Sequence, residues 1–193
     1  MQTKQELKSI LTSYLSEYES EVSRQKVFSD YLDRNVSKEL YSRKNFDGHI
    51  TASAFILNES HDQMLLIHHK FLQKWLQPGG HVEQEMDTDI LDAVYREILE
   101  ETGIDRDQLT LLDNSLENIP FDIDSHAIPP NDKKQEDGHD HHDFRYLFRY
   151  SGDSEVVIDP DESLGFQWFS LESLLSDEIF RNLVPKIIQR LAR

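Results

Sequence analysis

The sequence predicts an α/β fold, a mixed β-sheet packed with helices, and three observations carry that expectation. Apolar residues recur at helical spacing near both ends and once in the middle of the chain. Short apolar runs of strand length lie between these helices, and polar, turn-rich stretches separate them. The resulting order of strand, strand, helix, several strands and helix is that of a layered domain with helices against a sheet. Ahead of it, residues 1–44 are expected to form a helical N-terminal extension, leaving 45–193 as the sheet-bearing domain.

Leu7, Ile10, Leu11, Tyr14, Leu15 and Tyr18 follow the i, i+3, i+4, i+7 pattern of an amphipathic helix, and Val27, Phe28, Tyr31 and Leu32 a shorter second one. Such stripes most often cover a sheet face. Capping a substrate cleft and joining a homodimer interface are the other readings. Thr51 to Leu57 and Gln63 to His68 read as strands joined by the polar turn Asn58 to Asp62. Lys70 to Gln77 leads into Pro78-Gly79-Gly80. A helix is predicted over Asp87 to Thr102, burying Leu91, Val94, Tyr95 and Ile98 and stopped by Gly103. Short strands are expected around Leu109 to Leu112, Phe121 to Ile123, Phe144 to Tyr150 and Gly165 to Phe169. Pro129 to Asp143, rich in Pro, Asp, Lys and His, reads as a loop. Ile179 to Leu191 reads as a C-terminal helical region that Pro185 starts or kinks.

Composition narrows the function. The 193 residues carry a formal net charge of -17, which argues against a nonspecific grip on nucleic acid or on an anionic membrane. A phosphate-bearing substrate would be repelled at long range, and a divalent metal is the local remedy. There is no cysteine, so disulfides and thiolate chemistry are excluded. No apolar run is long enough to span a membrane, and the start, Met-Gln-Thr-Lys-Gln-Glu-Leu, is unlike a signal peptide. A cytoplasmic location is expected.

The stretch Arg96-Glu97-Ile98-Leu99-Glu100-Glu101-Thr102-Gly103-Ile104 carries the chemistry. On a helix, Glu97 lies one turn from Glu100 and Glu101, so the three carboxylates share a side. Like charges that close cost stability unless a cation neutralises them, and hard oxygen donors without thiols suit Mg²⁺ or Mn²⁺. An exposed acidic helix face is the bland alternative. In front of the helix, the adjacent glycines Gly79 and Gly80 permit close backbone approach.

Gly80 to Ile104 resembles the signature of the Nudix hydrolases, a glycine loop followed by a helix ending Arg-Glu-x-x-x-Glu-Glu-x-Gly-hydrophobic. The helical half matches at every defining position. The loop half is two residues longer than the family spacing, and Met86 or Thr88 stands where the pattern has a glutamate, with Glu85, Asp87 and Asp89 as substitutes. The resemblance covers roughly residues 48–176 and implies a Nudix-like α/β/α sandwich with a mixed sheet. It implies hydrolysis of a phosphoanhydride in a nucleoside diphosphate linked to another group, assisted by Mg²⁺ (or Mn²⁺). Carried over, it makes Glu97, Glu100, Glu101 and the carbonyl of Gly80 metal ligands, with Arg96 holding the carboxylates. Glu101 or Glu162 would be the base, Glu162 because the family often carries an acidic residue on a loop before an aromatic strand, here ahead of Trp168. A solvated loop carboxylate is the plain alternative for Glu162.

His139-Asp140-His141-His142-Asp143 precedes a strand. On an extended chain His139, His141 and Asp143 face one way. A His-x-His-x-Asp-x-Arg pattern is similar to that of a Nudix subgroup which also has Trp-Leu-Gln-x-Gly-Gly-His, as Trp75 to His81 does here. This implies that His139, His141, Asp143 and Arg145 contact substrate, the alternative being a His-rich polar loop. With no cysteine and no helical His-x-x-x-His pair, the run lacks the usual pattern of a zinc site. Pro120, 16 positions beyond Ile104, resembles a mark of the family's ADP-ribose hydrolases and makes ADP-ribose or a nucleotide sugar the leading substrate. The competing class is a non-catalytic nucleotide-binding regulator on the same fold.

Overall fold

The computed structural model describes residues 1–112, 119–131, 135–152 and 156–192. The chain forms two compact units. The first comprises Met1–Ala54, Gly79–Glu97 and Asp113–Tyr146, the second Phe55–Pro78, Ile98–Leu112 and Leu147–Arg193. Strands β1 (His49–Leu57) and β7 (His139–Tyr150) and helix α3 (Ile90–Thr102) run through both. The α/β class, the sheet and the N-terminal helices are as the sequence predicts.

In the first unit, α1 (Lys4–Glu17) begins with a capping box. The Glu6 amide donates to the Thr3 hydroxyl at 3.3 Å, and the Thr3 amide to the Glu6 carboxylate at 2.7 Å. Leu7, Leu11 and Tyr14 make its buried stripe. Helix α2 (Lys26–Arg34) buries Phe28, Tyr31 and Leu32. Phe28 meets Phe144 edge-on with ring centres 5.4 Å apart, and the Tyr31 ring lies 4.2 Å from that of His142. The N-terminal helices therefore cover a sheet face, the plainest of the three readings of that segment. Within this unit β1 pairs antiparallel with β4 (Gly79–His81), and β6 (Asp122–Ile128) pairs antiparallel with β7.

In the second unit, the end of β1 pairs with β2 (Gln63–His69) across the predicted turn. There the Asn58 side-chain oxygen accepts from the amides of Asp62 and Gln63, both at 3.0 Å. Strand β2 also pairs with β3 (Lys74–Leu76) and, along most of its length, with β8 (Ser163–Ser170). Strand β5 (Leu109–Leu111) pairs with the end of β7. Helices α4 (Leu171–Leu174) and α5 (Leu183–Leu191) close the chain.

Several boundaries differ from the sequence reading. Helix α3 starts at Ile90 and not Asp87, because Asp89 caps it: its carboxylate accepts from the Asp92 amide at 2.8 Å. The strand near Phe121 runs from Asp122 to Ile128, and β7 begins at His139, so the last five residues of the expected Pro129 to Asp143 loop, 139–143, belong to a strand. The C-terminal helix shortens to Leu183–Leu191, with Pro185 in its first turn, where a missing N–H breaks no bond. Strands β3 and β4 and helix α4 had no counterpart in the sequence reading. Among the described residues no helix is long and apolar enough to cross a membrane.

Candidate functional site

Arg96 organises the segment between the glycine pair and α3. Its Nε donates to one Asp87 oxygen at 2.9 Å and a terminal nitrogen to the other at 3.0 Å, a bidentate pair. The same nitrogen donates to the His81 carbonyl at 2.9 Å, and the second terminal nitrogen to Glu97 Oε1 at 2.8 Å. Hydrogen bonds donated to Asp87 and the charge of Glu97 keep the guanidinium protonated against the effect of burial. Asp87 is 6% exposed, and it also accepts from the Glu83 amide at 2.7 Å. Of the three acids offered as substitutes for the displaced glutamate, Asp87 is the one tied to Arg96. Asp89 caps the helix and Glu85 is exposed.

Glu97, 8% exposed, lies against Gly80. A Cβ built there would stand 2.7 Å from Glu97 Oε2. Any side chain at position 80 would push the carboxylate away, so the glycine is needed for this approach. Gly79 is as constrained, since a Cβ there would meet Ser53 Cβ at 2.3 Å. Further along α3, Glu100 is exposed and Glu101 is 4% exposed. Gly103 ends the helix with φ +67°, its amide donating to the Leu99 carbonyl at 2.9 Å. Glu162 is exposed on the turn before β8, its carbonyl accepting from the Lys70 amide at 2.8 Å.

A second polar assembly occupies one face of the sheet in the first unit. Directly opposed residues in antiparallel strands point the same way, and alternate residues along a strand share a face. Thr51 opposes His81, so His49, Thr51, Ser53 and His81 face together. Asp122 opposes Arg145, Asp124 opposes Asp143 and His126 opposes His141. Asp143 joins the two groups by accepting from Thr51 at 3.1 Å and Ser53 at 2.7 Å. Arg145 donates to Asp143 at 2.9 Å, Asp122 at 3.3 Å and Asp124 at 2.9 Å. Arg24, from the turn before α2, donates to Asp122 at 2.6 Å. Next to this network stand four imidazoles: His49, His81, His139 and His141. Successive strand residues alternate faces, so the His81 ring lies on the side of β4 opposite the point where Glu97 meets Gly80.

Sequence reasoning named Glu97, Gly80, Arg96, His139, His141, Asp143 and Arg145, and missed His49, His81, Asp122 and Asp124. The signal for His49 was present. His49, Thr51 and Ser53 alternate with Ile50, Ala52 and Ala54, a period-two pattern with one polar face.

A family model described as the NUDIX domain matches residues 47–191. A probable DHNTP pyrophosphohydrolase of Lactococcus lactis is 37% identical over 110 residues, 56% of this chain. The chain spans 58% of the length of that curated relative. Among solved structures, an Ap4A hydrolase of C. elegans in a binary complex superposes with TM-score 0.56 at 19% identity, covering 74% of this chain and 97% of that one, and shows the shared fold. A NUDIX-family hydrolase from Clostridium perfringens gives TM-score 0.52 at 26% identity, over 75% of this chain and 96% of that one.

Proposed function

The chain belongs to the Nudix family, and on that premise we propose that it is a pyrophosphohydrolase cleaving a phosphoanhydride bond in a small nucleotide-like substrate. Glu97, Glu100, Glu101 and the Gly80 carbonyl are the proposed ligands of Mg²⁺ or Mn²⁺. The donor set fits such an ion: it is all oxygen, and Glu97 is held against the Gly80 backbone by Arg96. When bound, a divalent cation neutralises the diphosphate charge and lowers the pKa of water.

The residues of the chain do the rest. The Arg96 fork fixes Glu97 and, through Asp87 and the His81 carbonyl, the loop that carries Gly80. Glu101 or Glu162 accepts the proton of the attacking water. The water oxygen bonds to phosphorus as the anhydride oxygen leaves with its phosphate. The observation that carries this reading is the Arg96 tie, which sets a buried glutamate on a glycine backbone despite the lengthened loop.

Within this class we propose a nucleoside diphosphate linked to another group, with ADP-ribose or a nucleotide sugar as the first compounds to assay. The DHNTP and Ap4A of the relatives' names complete the panel. Phosphate or nucleotide release is measured from each with Mg²⁺ or Mn²⁺. At least one is expected to turn over, and Glu101→Gln is expected to lower kcat by about 10²–10⁴-fold. Nucleotide binding without turnover on the whole panel would favour the non-catalytic regulator instead.

A further inference from the structure

We infer that His49, His81 and His141, with His139 beside them, form a binding site for a zinc-type transition-metal cation, on the face of β4 opposite Glu97. One ring nitrogen from each of the first three lies within 4.8 Å of the others. His139 Nε2 stands 3.3 Å from His141 Nε2. Zinc–nitrogen bonds of about 2.0–2.1 Å at tetrahedral angles place neighbouring donors ~3.3–3.4 Å apart, a separation that this pair shares with a hydrogen bond between the two rings. Imidazole donors favour zinc, cobalt, nickel or copper over magnesium, whose preference is for oxygen.

Independent features point the same way. His49 is 1% exposed, and neither of its ring nitrogens makes a well-formed hydrogen bond, although the Asn45 backbone interacts with the ring. The preceding Gly48 has φ +141°, and a Cβ there would lie 2.8 Å from the Asp140 carbonyl oxygen, so the backbone bringing His49 against β7 admits only glycine. His139 Nδ1 lies 2.8 Å from the Asp137 carbonyl, an oxygen that can only accept. An Nδ1–H donated to that carbonyl directs Nε2 toward His141, the arrangement by which outer-shell carbonyls orient metal-binding histidines. The elements converge because β1, β4 and β7 each present one polar face. No helical histidine pair is required, which is why the sequence pattern did not suggest zinc.

This site is independent of the proposed hydrolysis, and metal uptake tests it without measuring turnover. Tag-free full-length protein is stripped with a chelator and returned to excess Mg²⁺, which occupies oxygen donors. Zn²⁺ is then titrated by calorimetry and Co²⁺ by visible absorption. Binding of one equivalent per chain is expected, with the intense d–d bands of tetrahedral Co²⁺. His141→Gln and His81→Gln should each weaken Zn²⁺ by more than about 100-fold, beyond the 10–100-fold range of a lost outer-shell partner. His81, half-buried on its short strand, keeps the test available if the His141 variant fails to fold by circular dichroism. Failure of the wild-type chain to take up an equivalent would overturn the assignment. So would unchanged affinity in the folded histidine variants, or loss of the Zn²⁺ equivalent in Glu97→Gln.

Discussion

Arg96 and Arg145 lie in the same compact unit, and each is surrounded by carboxylates, yet the two networks differ in what they hold. Arg145 sits among Asp122, Asp124 and Asp143, which also accept from Arg24, Thr51 and Ser53. That network binds strands to one another and to the turn before α2. Arg96 instead spends its fork on one loop carboxylate and one backbone carbonyl, and with what remains it steers Glu97 onto Gly80. The same guanidinium chemistry ties strands together in one place and sets a carboxylate against a glycine backbone in the other.

Arg145→Met is the largest break. It leaves Asp122 and Asp143 buried without their central cation, and urea unfolding should show a loss of about 3–5 kcal/mol. Arg145→Lys should restore only part, because an ammonium cannot reproduce the planar fork. Arg96→Lys should separate the two roles: a stability loss of about 1–3 kcal/mol in the same assay, with turnover falling about 100-fold or more as Glu97 loses its support.

Acid titration reads the Arg145 network alone. Burial pushes the Asp124 carboxyl up, but its bond to His126 and the charges of Arg145 and Arg24 outweigh this and hold it down to about 2. Its folded value is below the unfolded one. The stabilisation is therefore complete above the ordinary Asp pKa near 4 and is lost as pH falls through 2, amounting to about 2 kcal/mol. The difference between wild-type and Asp124→Asn stability should close over that window, and a constant difference would remove Asp124 from the network. The smallest effect sharpens the loop. Asp87→Asn should cost about 1–2 kcal/mol, whereas Glu85→Gln should stay within about 0.5 kcal/mol.

How legible these features were depends on where their determinants lie. Helix α3 and its acidic face could be read because period and charge sit within about two turns of sequence. The N-terminal helices were legible for the same reason. Which acid meets Arg96 was not, since Glu85, Asp87 and Asp89 differ only in how the lengthened loop turns, and that is set by a guanidinium nine residues after Asp87. The histidine-rich arm of β7 read as a loop because its composition is polar. Strands take such residues when one face of the sheet is itself polar, and here that face is shared with β1, β4 and β6. His49 and His81 are remote from that arm in the chain, and only strand pairing brings them to it.

The union of α2 and its preceding turn with β6 has a consequence for how the protein is made. The Arg24 side chain bonds to Asp122, and the Gln25 side chain to the Ile123 carbonyl, each across 98 residues of sequence. Ribosomal synthesis delivers earlier segments first, so Phe28 and Tyr31 emerge long before the His142 and Phe144 rings of β7 that they meet. Contacts between residues so distant in sequence are slow to form. Segments that look like a simple leading appendage must wait, apolar faces uncovered, for the later part of the chain.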